Sequence, residues 1–66
     1  MHDEGVDFPR AAGRPARRAL AAVGLRELAQ VAGRSRAELL AIHGVGPRAL
    51  DAIEAALAER GLRPLT

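Results

Sequence analysis

Apolar residues recur along this chain at helical spacing, in short runs that glycine and proline interrupt. Gly13-Arg14-Pro15 opens a first helix, because a proline in the first turn gives up an N–H that has no intrahelical partner there. Ala16, Ala19, Leu20 and Val23 supply its core stripe, and Gly24 stops it as the left-handed residue beyond the helix end. A second, short element runs from Arg26 to Ala32, with Leu28 and Val31 inward and Gly33 closing it. Ser35-Arg36-Ala37-Glu38 fits a capping box, in which the serine caps the helix and the glutamate three residues on reaches back. The helix it starts carries Leu39, Leu40 and Ile42 and breaks at His43-Gly44. Gly46-Pro47 opens the last helix, with Leu50, Ile53 and Leu57 on one face. Gly61 ends it, Leu62 packs back on Leu57 in the Schellman manner, and Pro64 prevents continuation.

No strand alternation competes with this reading. The pattern predicts an all-α fold: a compact bundle of four short helices forming two helix-hairpin-helix units. The turns Val23-Gly24-Leu25 and Gly44-Val45-Gly46 are similar, each setting a branched apolar residue beside a glycine. Residues 1–13 read as an acidic, partly disordered leader and residues 14–66 as the helical domain. Phe8, the single aromatic residue, precedes Pro9 and is therefore extended; it is expected to lie as a lid on the helices.

Length and composition narrow the function classes. A chain of 66 residues is one domain, able to bury only about 60% of the surface its unfolded form exposes. With 48% hydrophobic residues, it has material for a small core but not for an enclosed substrate cavity. The absence of cysteine excludes disulfides, thiolate metal sites and a cysteine nucleophile. His2 and His43 are too widely spaced to make a metal centre alone. No apolar run approaches the ~20 residues of a membrane span, and no signal pattern opens the chain. The expected address is cytoplasmic, with no membrane partner.

The net charge of +2 conceals an asymmetry. Met1 to Gly13 sets Asp3, Glu4 and Asp7 against Arg10 alone, whereas Arg14 to Thr66 is net basic, and every basic residue is arginine. A basic body raises the encounter rate with polyanions.

Candidate chemistry concentrates in Ile42-His43-Gly44-Val45-Gly46-Pro47-Arg48-Ala49. Two glycines around a valine allow a tight turn whose outer side is bare backbone, with Val45 as a plug into the core. The amides of Gly46, Arg48 and Ala49 then project from a helix start, where the macrodipole favours an anion. Arg48 adds a fork that can grip a phosphate in two places. Ala49 is small enough to admit a nucleic-acid backbone, and His43 either touches phosphate or caps the preceding helix. Arg14, Arg17 and Arg18 lie at helical spacing and share one face of the first helix. Alternatively they form a solvated face, with Arg17 or Arg18 paired to Glu38 or Glu59. Asp51 and Glu54, three apart, are expected to form salt bridges, for instance Arg48 with Asp51. No nucleophile–base arrangement exists, so no enzymatic activity and no cofactor are expected.

These residues resemble the hairpin of helix-hairpin-helix DNA-binding domains. From about Arg14 to Leu65, the element order, the Leu39-Leu40 helix, the Gly46-Pro47-Arg48 helix start and Glu59-Arg60-Gly61-Leu62 are similar to the C-terminal domain of the bacterial RNA polymerase alpha subunit, a fold akin to sterile-alpha-motif bundles. The resemblance implies binding to the DNA backbone and minor groove from the first helix start and the second hairpin. It carries the hairpin glycine to Gly46 and the following basic position to Arg48. The family's small hydroxyl position is Ala49 here, its groove-binding arginine falls on Pro15, and a nearby asparagine position is Arg18.

The function expected is non-catalytic, low-specificity binding of double-stranded DNA through phosphates and the minor groove. The site residues would be Arg14, Arg17, Arg18, His43, Gly44, Gly46, Arg48 and Ala49, in a bacterial, nucleoid-associated setting. The alternative is a protein–protein interaction module on the same helical fold, with another protein or a second copy as partner. The acidic leader and the modest net charge favour that alternative.

Overall fold

A computed structural model describes residues 7–66; Asp3, Glu4 and the rest of residues 1–6 lie outside the described residues. Among the described residues there are four α-helices and no strand. They are α1 (Arg14–Ala22), α2 (Leu28–Val31), α3 (Arg36–Leu40) and α4 (Pro47–Glu59), preceded by a 3-10 turn at Arg10–Ala12. Leu20, Leu28, Val31, Leu39, Leu50, Ile53 and Leu57 are the largest fully buried side chains, so every helix contributes to one core. Val45 plugs the second hairpin into that core as the sequence predicts.

The packed body begins earlier than Arg14. Phe8 is 4% exposed and Ala12 is also buried, so the 3-10 turn belongs to the core. Asp7 secures this entry. Its Oδ2 accepts the amide of Leu28 at 2.7 Å, and its Oδ1 accepts from Arg60 Nη1 at 2.9 Å. One carboxylate thus caps the start of α2 and ties down the end of α4, elements far apart in sequence.

Helix ends explain where the local pattern held and where it did not. Leu62 N–H donates to the Leu57 carbonyl and Gly61 N–H to Ala58, the two bonds of a Schellman motif at the end of α4. The same pair recurs at the end of α1, from Leu25 to Leu20 and from Gly24 to Ala21. That turn corrects the expected core stripe. Helix α1 ends at Ala22, Val23 becomes its C-cap and is 56% exposed, and Leu25 takes the buried place instead. Leu40 is likewise exposed, on the far side of α3 from Leu39.

Ser35 Oγ accepts the Glu38 amide, giving the serine half of the predicted box. The reciprocal box occurs at α2, where Glu27 and Gln30 cap one another's backbone. After α4 the chain returns across the α2–α3 turn. Arg36 N–H donates to Thr66 and Thr66 N–H to Arg34, while Leu62 and Leu65 pack on the core.

Gly44 holds the second hairpin against α1. Its φ is +99°, and a Cβ there would sit 3.0 Å from Ala19 Cβ and 3.6 Å from the Pro15 carbonyl oxygen. Only glycine meets both demands, the backbone angle and the close approach. Gly46 is different: its φ of −114° is ordinary extended backbone, and a Cβ would meet nothing within 4 Å.

Two stability predictions follow from these contacts. Gly44→Ala is expected to cost about 1–2 kcal/mol from the left-handed angle alone, lowering Tm by about 4–16 °C for a domain of this size; an unchanged melt by circular dichroism refutes the glycine requirement at this turn. Asp7→Asn keeps an oxygen for the Leu28 amide but loses the negative charge, and is expected to cost about 0.3–1 kcal/mol, the scale of a charge at a helix start. The Leu28 amide, with Arg60 beside it, outweighs burial and holds the Asp7 carboxyl below its usual 3.8. A depressed folded pKa stabilises fully above the unfolded value and fades as pH falls through the folded one. The Tm gap between wild type and Asp7→Asn should therefore be full at pH 7 and narrow toward pH 2. An equal gap at both pH values contradicts the charged cap.

Candidate nucleic-acid interface

The four helix starts divide into two kinds. Helices α2 and α3 are capped by side chains: Glu27, Gln30 and Asp7 at one, Ser35 at the other. Helices α1 and α4 are not. Their N-caps are Gly13 and Gly46, neither start has a side-chain cap, and neither has an acidic residue in its first turn. Each also carries proline among its first two residues.

These two bare starts are neighbours. Gly44 lies against Pro15 and Ala19 of α1, and Pro47 is three residues further on, at most about 11 Å of extended chain. Among the described residues, the amides of Gly46, Arg48 and Ala49 have no hydrogen-bond acceptor. The start of α4 is thus tethered within a short chain length of the Gly44 contact on the first turns of α1.

The sequence-predicted site residues fall into three groups. Arg14, Arg18 and Arg48 are exposed and form no ion pair among the described residues. His43 and Gly44 are exposed on the hairpin, and Gly46 is half-buried beneath open space. Arg17 departs from the shared face. It is half-buried and its Nε donates to the Gly13 carbonyl at 3.3 Å, so it braces the start of α1. Ala49 departs too: its methyl is buried in the core, and only its amide belongs to the helix start.

The expected ion pairs form with a different arginine. Arg36, not Arg48, reaches Asp51 at 2.9 Å and Glu54 at 3.0 Å, and it also touches the Pro47 carbonyl at 3.4 Å. The two carboxylates, Asp51 first, raise the Arg36 pKa further above its usual value. This fork joins α3 to α4 and occupies the acids nearest Arg48. Neither Arg17 nor Arg18 pairs with Glu38 or Glu59. No sequence signal distinguished Arg36 from the other arginines, because its partners lie 15 and 18 positions away.

The surface has two shallow depressions of note. One, of about 280 Å³, is lined by Arg18, Ala21, Ala22 and Arg26. The other, of about 230 Å³, is lined by Val23, Leu25, Arg34, Glu38, Leu39 and Ile42. Both are open. No helix among the described residues is long and apolar enough to cross a membrane.

Compared with known proteins, the chain matches no family model, and neither the curated proteins nor the solved structures contain a match.

Proposed function

We propose that this protein binds double-stranded DNA without catalysis, gripping backbone phosphates with the second hairpin and the start of α1 in a helix-hairpin-helix manner. The observation that carries the reading is the pairing of the two uncapped helix starts across Gly44. A phosphate oxygen can accept from the amides of Gly46, Arg48 and Ala49 while the Arg48 guanidinium takes a second oxygen. Arg14 and Arg18, one turn apart on exposed α1, face the next phosphates or the groove between strands. Arg36 engages Asp51 and Glu54 together and offsets one of their two charges.

The scale suits weak, sequence-tolerant binding. The longest dimension is 27 Å, about eight base pairs at 3.4 Å each, and the charged contacts are few. Affinities of about 10⁻⁴ to 10⁻⁶ M at physiological salt are expected. A protein-interaction module is the second reading, and the apolar depression around exposed Val23 favours it.

The test is fluorescence anisotropy of a labelled ~20-base-pair duplex across a salt series. For two to four phosphate contacts, log K should fall against log salt with a slope of about −2 to −4, and Arg48→Glu should abolish binding while the fold survives. No binding at low salt, with a saturable protein partner or self-association instead, favours the interaction module.

Gly46→Asp separates stability from function. Its backbone angle is already that of an N-cap, so the new carboxylate can accept the free amides. A gain of about 0.5–1 kcal/mol from cap and dipole raises Tm by about 2–8 °C. Duplex binding should be lost in the same variant, because the carboxylate occupies the phosphate position. Tighter folding with unchanged DNA affinity removes the hairpin from the interface.

A further inference from the structure

We propose that the open notch between Arg18 and Arg26 receives a further phosphodiester of the same DNA backbone, extending the contact track beyond the hairpin along α1. The inference rests on the DNA-binding reading and adds Arg26, which no motif or resemblance singled out, to the interface.

Position comes first. On α1 the row Arg14, Arg18, Ala22 lies beside the row Pro15, Ala19, which receives Gly44 of the hairpin. Arg18 therefore stands between the hairpin contact and the notch. Arg26 follows the turn after α1, and its side chain lines the opposite wall. A strand that passes Arg48 and the Gly44 turn meets Arg18 next and Arg26 after it.

Chemistry comes second. Both arginines lack an ion-pair partner among the described residues, so two like charges flank one depression with no acid lining it. Glu27, the nearest acid in sequence, is engaged in capping α2. Like charges held close in this way repel, and an anion between them relieves the repulsion. Guanidinium forks suit phosphate oxygens in two-point contacts. Between the arginines lie only the methyls of Ala21 and Ala22, a flat apolar surface on which a sugar can rest. Ala21 is buried and Ala22 exposed, so the methyl of Ala22 supplies most of that apolar surface.

Shape comes third. At about 280 Å³ and open to solvent, the notch is too shallow to enclose a small ligand, which buries most of its surface in a proper pocket. A polymer lying across the surface needs no enclosure.

The experiment measures duplex affinity against salt for the full chain, for Arg26→Gln and for Arg63→Gln. Arg63 is also exposed, but its side chain lies over Gly33 on the α2–α3 turn. Each phosphate contact contributes about 0.9 to the salt slope. Arg26→Gln should therefore reduce the slope by about 1, whereas Arg63→Gln should leave it unchanged. In parallel, the Nε–H resonances of Arg18 and Arg26 should shift together on duplex addition. If the wild type binds but Arg26→Gln behaves as Arg63→Gln does, the notch is not part of the interface and the hairpin reading stands. If the wild type fails to bind duplex even at low salt, the hairpin reading falls and the notch falls with it.

Discussion

The close approach of Gly44 to α1 is the contact on which the molecule's arrangement depends. An alanine-rich chain has small side chains at its helix contacts, so its elements can approach until backbones nearly touch. At Gly44 the approach is tight: a Cβ would stand 3.0 Å from the Ala19 methyl, and the backbone angle strains any residue but glycine. This contact fixes the hairpin on α1 and, through the short segment to Pro47, fixes where α4 begins. The two uncapped helix starts are neighbours because of it. Val45 then completes the anchor from the other side, buried among residues of the same core.

Charge is distributed around that contact in a consistent way. The chain has acids enough to neutralise much of its arginine, yet several of them are engaged with partners other than the arginines of the predicted site. Asp7 joins Arg60 and the α2 start, Asp51 and Glu54 share Arg36, and Glu27 caps α2. The Asp7 and Arg36 pairings link elements that local periodicity leaves unconnected, and Arg14, Arg18 and Arg48 are left without a partner among the described residues. A net charge of +2 is thus a poor guide to the field at this face.

Local rules carried much of the fold in the sequence. Glycine and proline marked the helix ends, and the Schellman turn after α4 and the Ser35 cap follow from residue type and spacing alone. The hairpin plug Val45 and the lid Phe8 were legible for the same reason. What escaped were contacts between distant positions. Asp7 reads as part of an acidic leader until its two acceptor oxygens are seen on Leu28 and Arg60, 21 and 53 positions away. Val23 fits the α1 stripe by spacing, but the Schellman turn rotates the chain so that Leu25 is buried in its place. Ala49 reads as a gap for a ligand and proves to be core. Periodicity identifies a face without saying what lies against it.

The capping pattern joins these strands of argument. Stabilising a short helix by placing serine, aspartate or glutamate at its start is cheap in sequence terms, and this chain does so at α2 and α3. At α1 and α4 it has glycine instead, followed by proline and with no acid in the first turn. At α1 the backbone itself gives a reason, because Gly13 sits at φ +89°, an angle that favours glycine; at α4 it does not, because Gly46 has an ordinary extended angle and room for a side chain. Under the proposed DNA-binding reading, an external anion gives a reason at Gly46. Amides satisfied by an aspartate of the chain are unavailable to a phosphate, whereas amides left open at two adjacent helix starts retain their full attraction for one. Under the proposed reading, a side-chain cap at Gly46 and a bound phosphate would compete for the same N–H groups.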